Sequence, residues 1–532
     1  MLQPFDQLNP SRFKNQPYKH QARCLAEHGH KRAFFLSAEM GTGKTFIIIN
    51  NLADLWAAEE VDAVIVFAPN GVHTNWTLIE LPKHMPDWVT WRAAAWDPSM
   101  GKAATKKFDE IYGSKESANK RELRILCMNW EGLNHKRSFD ALMRFALGAS
   151  KLAVIGDEPS GYIKNPSSAR FKALLKFKYM TKYRRMMDGT PVTQGPFDVF
   201  APYNFLDKTI LQTESYMAFK AEYAEMVPAE IVGFDDDGNR CMVPNPLIKS
   251  IMDRNGSKRV PQIIAKGAGG LPKYKNLEKL TALVAPHTFR VLKKDCLDLP
   301  DKVYKTAFFE LTPQQRAVYK KAEDELRLVY LNEETPFAKL TAVTKLAQIT
   351  RGFYIHPEAP EPLQIEGDNP ALELLKERVL AIVSQGDKVI VWARFHAELA
   401  LIAKMLMDED ISFSEYHGGV KMRDRETSKT AFQDGESSVF LAQQQAGGTG
   451  LTLHAAAYTI YFSNTFSLRD RLQSEDRNHR IGQTRSVLYL DLVARGTIDE
   501  RIVRALNAKK DVADLINGDG KELFGADAPV QF

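Results

Sequence analysis

The stretch Ala33-Phe34-Phe35-Leu36-Ser37-Ala38-Glu39-Met40-Gly41-Thr42-Gly43-Lys44-Thr45 decides the fold class. It opens on a short apolar run at 33–36, crosses a glycine-rich turn and enters a helical pattern at 45–58. A strand that passes through Gly-x-Gly-Lys-Thr into a helix is a phosphate-binding loop. The glycines let backbone N–H groups turn inward around an anion, and the helix N-terminus adds a favourable dipole. Lys44 is expected to neutralise the β and γ oxygens of a nucleotide, and the Thr45 hydroxyl to ligate magnesium. Met40, Gly41, Thr42 and Gly43 complete the cradle. Ala38 stands where this pattern usually has its first glycine.

The same rhythm continues outward from the loop. Apolar runs recur at 63–67, 124–128 and 152–155, with a mixed strand-like run at 182–187. Runs this short and apolar are buried on both faces, as in a parallel sheet. Helical stretches such as 130–147 separate them, so the unit is repeated βα. The pattern returns at 388–392, 438–441, 458–462 and 486–492, with helices at 396–407 and 498–516. Two α/β lobes follow. Expected boundaries are 1–207 for the first lobe and 370–532 for the second. Between them lie an insertion (208–305) and a linker with a second helical insertion (306–369).

The middle of the chain reads differently. Residues 212–227 look helical and 313–352 mostly helical. Residues 228–275 are rich in Gly, Pro and Lys, with the turn signal Asp236-Asp237-Gly238-Asn239. There Lys249, Arg254, Lys258, Arg259, Lys266, Lys273 and Lys275 face only Asp253 after Asp237. A solvated insertion and a loop that touches phosphates both fit this charge run.

Composition sets outer bounds. The chain has 532 residues, 44% hydrophobic and 26% charged, values ordinary for a globular protein. A net charge of +5 permits a polyanionic partner without requiring one. Cys24, Cys127, Cys241 and Cys296 are too scattered for a metal knuckle, a redox pair or a disulfide framework. The first residues lack a secretory signal, and no apolar run reaches membrane-spanning length. A cytoplasmic protein is expected.

Three further features bear on chemistry. Asp157-Glu158 ends an apolar strand, where an α/β sheet places its functional groups. Asp157 is suited to a magnesium shell, and Glu158 to orienting or deprotonating an attacking water. Gln21 precedes the first strand, where a side-chain amide can read an adenine edge. Finally, Gln473-Ser474-Glu475-Asp476-Arg477-Asn478-His479-Arg480-Ile481-Gly482-Gln483 sets two arginines three residues apart. Surrounding charges make a solvated helix face the plain reading; the distant phosphate loop makes ATP clamped between two lobes the sharper one.

Together these residues resemble the Swi/Snf family of ATP-dependent DNA translocases, within helicase superfamily two. Glu39 to Thr45 is similar to the first motif, and Asn75-Trp76 followed by Trp88 to the next segment. Asp157-Glu158 with Ile163-Lys164-Asn165 resembles the acid box and its trailing lysine and asparagine. Asp188-Gly189-Thr190-Pro191 is similar to the third motif. Arg290 to Asp295, then Leu299-Pro300, resembles the segment leaving the first insertion. Ala446 to Leu451 is similar to the fifth motif, Gln473 to Gln483 to the sixth, and Gly496 to Glu500 to the segment after it.

The resemblance implies two RecA-like lobes with parallel sheets, plus mainly helical insertions between them. It implies ATP and Mg²⁺, with Gln473, Arg477 and Arg480 catalytic and Gly450 at the nucleotide. An arginine's planar fork suits charge spread over phosphoryl oxygens. Gly189, Thr190 and Pro191 would couple hydrolysis to movement. The implied activity is translocation on double-stranded or branched DNA, without processive strand separation and with little sequence specificity. Tentative DNA contacts are Asn75, Trp76, Asn129, Arg394 and Thr449. Trp130 and Trp392 are expected in the core, with base stacking as the alternative. A strand-separating helicase and an ATP-gated binding scaffold are the competing classes. Two departures stand out: Pro159-Ser160 replaces the family's usual alanine and histidine, and Asp188 a small or hydroxyl residue. A compact bacterial or bacteriophage type without an appended chromatin-reading domain is expected, placed in the host cytoplasm if of bacteriophage origin.

Overall fold

The computed structural model describes residues 12–97, 100–102, 106, 108, 122–234, 240–244, 260–265, 272–331, 336–355, 361–444 and 451–517. The chain divides into two compact units. One holds residues 1–223, 276–298 and 511–532; the other holds 224–275 and 299–510.

The first unit is built on β1 (Ala33–Ala38), β2 (Ala63–Ala68), β3 (Trp91–Ala95), β4 (Leu123–Asn129), β5 (Leu152–Asp157) and β6 (Thr181–Asp188). Strands β2 and β5 are buried along their whole length, as their apolar runs require. In the second unit, β7 (Met226–Pro228), β8 (Glu230–Phe234), β9 (Arg240–Pro244) and β10 (Gln262–Ile264) form two short antiparallel pairs, β7 with β10 and β8 with β9. The chain then returns to the first sheet with β11 (Thr288–Val291), beside β1. The sheet order is β11-β1-β6-β5-β2-β4-β3, and every pairing is parallel.

The helix after β1, Lys44–Ala57, carries three successive isoleucines, Ile47 to Ile49, which are mediocre helix formers. Burial overrides propensity, because residues 46 to 55 are all buried. Strand β6 admits a basic residue at the sheet centre because Arg185 is fully partnered. It donates to Asn51 Oδ1 at 3.0 Å, Arg32 O at 3.0 Å and Gly29 O at 3.2 Å, and lies 4.5 Å from the Phe34 ring centroid.

The second unit carries β12 (Lys302–Phe309), a short pair β13 (Phe353–Ile355) and β14 (Pro362–Gln364), then β15 (Val389–Ala393), β16 (Phe413–Tyr416), β17 (Val439–Gln443), β18 (Tyr458–Tyr461) and β19 (Val487–Ala494). Its main sheet runs β12-β19-β18-β15-β17-β16, again all parallel. This is the α/β architecture of two parallel-sheet lobes that the sequence leads one to expect.

The expected lobe boundaries need correcting. Strand β11 falls inside the expected insertion 208–305 yet pairs with β1. Strand β12 lies well upstream of residue 370, yet all eight of its residues pair with β19. Both are edge strands, as are β3 and β16. An edge strand is covered less completely, so it need not be an apolar run. Strand β12 is exposed along most of its length.

The helix expected over 130–147 also divides. A 3₁₀ turn, Trp130–Asn134, is capped by Asn129 Oδ1 accepting the Gly132 N–H at 3.0 Å, and the α-helix proper is Lys136–Leu147. Of residues 212–227 only Tyr216–Tyr223 is helical. Of the basic run, Lys249, Arg254, Lys258, Arg259 and Lys266 lie outside the described residues, as does the turn at 236–239. Lys273 pairs with Glu225 at 3.3 Å. Among the described residues, no helix is long and apolar enough to cross a membrane.

Candidate functional site

Parallel strands put their C-terminal ends on one edge, and the sheet order sets β1, β6 and β5 side by side there. The glycine loop leaves β1, Asp188 ends β6, and Asp157 ends β5. Three segments far apart along the chain are therefore neighbours in the fold.

The loop has the backbone an anion cradle needs. Gly41 and Gly43 take positive φ values of 85° and 82°. The positive φ favours glycine at 43, and a Cβ there would also push aside the Gln21 amide, whose Nε2 lies 2.1 Å from that position. Gln21 is 3% exposed and spends its amide inside the protein. Its Nε2 donates to Thr42 O at 3.2 Å, and its Oε1 accepts the Tyr18 N–H at 2.9 Å. As placed, it braces the loop. His20 Nε2 also meets Thr42 O, at 2.8 Å. The Lys44 ammonium donates to Ala38 O at 2.9 Å. Gly189 lets the β6 turn close on the loop, because a Cβ there would lie 3.2 Å from Met40 Cγ.

Asp157 is 7% exposed. Its Oδ2 accepts the Trp76 indole N–H at 3.1 Å, and its backbone O accepts the Trp130 indole N–H at 2.8 Å. Burial pushes the Asp157 carboxyl up to about 7; the Glu158 charge adds to the rise, while the Trp76 N–H and Lys44 oppose it. Glu158 follows in the left-handed region, with φ of 51°. That strained turn directs the chain into Pro159-Ser160.

Asp188, 2% exposed, accepts from two backbone donors, the Ser160 N–H at 3.0 Å and the Thr190 N–H at 2.8 Å. Farther along, Lys164 contacts Thr193 Oγ1 and lies 3.5 Å from Asp198. Asp198 in turn accepts the N–H groups of Thr193 and Gln194, both at 2.8 Å. Thr193 and Asp198 give no signal in the sequence, because a lone threonine and aspartate carry no motif.

The donor set fits magnesium and a phosphate chain. A glycine-rich loop at a helix N-terminus, a lysine and a hydroxyl at Thr45 are phosphate chemistry. The buried Asp157 carboxyl, pushed up by burial and by the neighbouring Glu158 charge, is relieved by a divalent cation. Among the described residues no cluster of three or more His, Cys, Asp or Glu forms a metal cage. That is the usual condition for Mg²⁺, which is held by one or two protein oxygens with phosphates and water.

Of the residues expected to face DNA, Trp76 is turned into the core. Trp76 is 1% exposed and its N–H is spent on Asp157. The indole buries a large apolar surface and finds its acceptor at the acid, so the core claims it. Asn129 is the cap of the 3₁₀ turn, and Asn75 is half-buried. Trp130 and Trp392 are both fully buried, as the core reading expects.

In the second unit, helix Leu468–Glu475 starts at Ser467, whose Oγ accepts the Asp470 N–H at 3.2 Å. Gln473 is 8% exposed and Arg477 only 2%. Arg480 is half-buried and donates to Leu451 O at 2.7 Å. The two arginines thus differ: Arg477 is buried and Arg480 is half-buried. His479 Nε2 meets Pro300 O at 2.7 Å, and Asn478 donates to Thr459 Oγ1 at 2.9 Å. Arg394 stacks 4.7 Å from the Phe395 ring centroid and reaches Thr344 Oγ1 at 3.4 Å. Thr449 and Gly450 lie outside the described residues.

Comparison with known proteins gives two family matches. A model described as the SNF2-related domain matches residues 19–357, more than half of the chain, and one described as the helicase conserved C-terminal domain matches 371–482. Similar proteins include the chromatin-remodeling ATPase INO80 of Mycosarcoma maydis, 28% identical over 41% of this chain and 11% of its own length. The SWI/SNF chromatin-remodeling complex subunit snf22 of Schizosaccharomyces pombe is 24% identical over 91% of this chain and 27% of its own length. The chain thus spans a minor part of either relative. Both are fungal, so the expectation of a bacterial or bacteriophage type gains no support from them. Among solved structures, the SWI2/SNF2 ATPase core of Sulfolobus solfataricus in complex with dsDNA matches with a TM-score of 0.38 and 23% identity, covering 96% of this chain and 95% of that one.

Proposed function

This chain belongs to the SNF2-related family, and on that premise we propose that it is an ATP-dependent motor that moves along double-stranded DNA. The observation that carries the reading is the single edge of the first sheet. There the glycine loop, Asp188 and Asp157 end neighbouring strands. Hydrolysis at that edge can be felt by the Gly189-Thr190-Pro191 turn through shared hydrogen bonds.

In this reading the loop N–H groups and Lys44 bind the phosphates of ATP. Thr45 and Asp157 hold Mg²⁺, which when bound neutralises phosphate charge. Glu158, set in the left-handed turn, orients the attacking water. Arg480 stabilises the charge that develops on the transferred phosphoryl group. The Gly189-Thr190-Pro191 turn transmits the change of state. Asn75, Asn129, Arg394 and Thr449 are assigned to the DNA backbone. Most such contacts fix position and carry no sequence information.

The test is ATP hydrolysis measured side by side with duplex, single-stranded, forked DNA and RNA. Duplex stimulation together with displacement of a triplex-forming strand, and no unwinding of a forked duplex, is the expected result. Lys44→Ala and Glu158→Gln should each lower turnover by roughly 100-fold or more. Stimulation by RNA or single strands alone would overturn the duplex assignment.

A further inference from the structure

Two Asn-Trp dipeptides, Asn75-Trp76 and Asn129-Trp130, follow strands on one side of the strand that carries Asp157. One lies in the segment after β2, the other at the end of β4, and the sheet sets β5, β2 and β4 in that order. From these separate places both indoles converge on one residue, Trp76 on the Asp157 carboxylate at 3.1 Å and Trp130 on its carbonyl at 2.8 Å. Both rings are buried, at 1% and 0% exposure.

We infer that Trp76 and Trp130 are positioning residues that fix Asp157 for the metal-bearing nucleotide and tie it to the two Asn-Trp segments. This rests on the ATPase reading above. A buried indole N–H and a buried carboxylate each lose by being left unpaired, so neither moves without the other. Trp130 has little freedom, since it stacks between Phe67, at 5.3 Å, and Tyr162, at 5.9 Å. Strand β5 makes room for it with Gly156, where a Cβ would stand 3.0 Å from Trp130 Cη2 and 2.3 Å from Met186 Sδ.

Trp76 opens a single wide turn of π type, Trp76–Glu80, inside an otherwise helical run. Such an insertion re-aims one side chain without ending the helix. Here it sends Trp76 inward, while Leu78 and Ile79 stay 72% and 52% exposed. The segment therefore has an outer surface and an inner contact with Asp157. A nucleic-acid backbone pressing on Asn75 would bear on Asp157 through the adjacent indole.

Trp76→Phe keeps an aromatic ring and removes the N–H. The readout is the affinity of a fluorescent ADP analogue with Mg²⁺ and with EDTA. Loss of a partner to a metal-binding carboxylate typically costs about 10-fold or more. The expected result is that the Mg²⁺-dependent gain in affinity falls by that amount, that affinity in EDTA is unchanged, and that DNA stimulation of hydrolysis falls in parallel. An unchanged Mg²⁺-dependent gain overturns the inference. If affinity in EDTA also collapses, the variant has lost its fold. Benzothienylalanine at position 76, which keeps the indole shape without its N–H, then decides by the same criterion. If the unaltered protein shows no DNA stimulation, the proposed function fails on its own, and the Mg²⁺-dependent affinity still tests the indole contact.

Discussion

The Asp188 carboxylate accepts the backbone N–H of Ser160 at 3.0 Å. Its other oxygen accepts the Thr190 N–H at 2.8 Å, so one side chain joins the segment after the acid pair to the Gly-Thr-Pro turn. These are the two places where the sequence departs from its family's pattern, and they meet in one hydrogen bond. Among the described residues the buried Ser160 hydroxyl has no hydrogen-bond partner, so the link runs through its backbone.

Asp188→Asn tests this link. An amide offers one acceptor atom where the carboxylate offers two, so one backbone N–H is left unpaired, at a cost of roughly 1–3 kcal/mol. The expected outcome is a lower thermal midpoint and less triplex displaced per ATP hydrolysed, with turnover itself retained. Displacement and turnover falling in equal proportion would count against a coupling role.

Arg480→Ala and Arg477→Ala should part company. The first removes a half-buried side chain and should lower ATP turnover by about 1,000-fold. Its thermal midpoint and DNA affinity should stay near those of the parent. The second removes an arginine that is 2% exposed, so it should lower the thermal midpoint as well. Parent-like turnover in Arg480→Ala would sink its assignment.

Acid should destabilise the second unit through Glu475. Its Oε2 accepts Tyr304 OH at 2.7 Å and Lys302 Nζ at 3.1 Å, and its Oε1 accepts Arg471 Nε at 2.9 Å. Burial pushes this carboxyl up, but the Lys302 and Arg471 charges and the Tyr304 hydrogen bond outweigh it and hold it at about 2, below the ordinary 4.5. A depressed folded value gives stability that is full above the unfolded value and is lost as pH falls toward 2. The contribution is on the order of 3 kcal/mol at neutral pH. Thermal midpoints should therefore fall between about pH 5 and 2, and Glu475→Gln should flatten that decline while lowering the midpoint at pH 7.

The basic run in the insertion is tested by salt. Replacing Lys249, Arg254, Lys258 and Arg259 with glutamine should weaken DNA binding more at low salt than at high. The slope of log affinity against log salt should shrink by roughly one for each phosphate that is no longer neutralised. An unchanged slope would assign these residues to solvent.

Central strands and the phosphate loop were legible in the sequence because their physics is local. Residues 63–67 and 152–155 are apolar runs, and a run buried on both faces needs no partner to be recognised. The glycine loop announces itself through backbone needs that only glycine meets. Edge strands were not legible: Lys302-Val303-Tyr304-Lys305 sets two uncharged residues between two lysines with no clear alternation, and its strand identity comes from pairing with residues 487–490, far along the chain. The inward turn of Trp76 was equally hidden. An Asn-Trp pair beside a phosphate loop reads as surface, and only the sheet order reveals that a buried carboxylate lies within its reach. Asp188 reads as a departure from pattern, although its two backbone partners give it a structural role.

Strand β12 has a practical consequence for dissecting this protein. A fragment begun at residue 370, where the apolar rhythm resumes, would lack β12 and leave the backbone edge of β19 open along its full length. The same cut would take away Lys302 and Tyr304 and leave Glu475 buried with a diminished set of donors. Such a piece would carry both a template for self-association and an under-compensated internal charge. A second lobe meant to be soluble and monomeric in isolation has to begin ahead of Lys302.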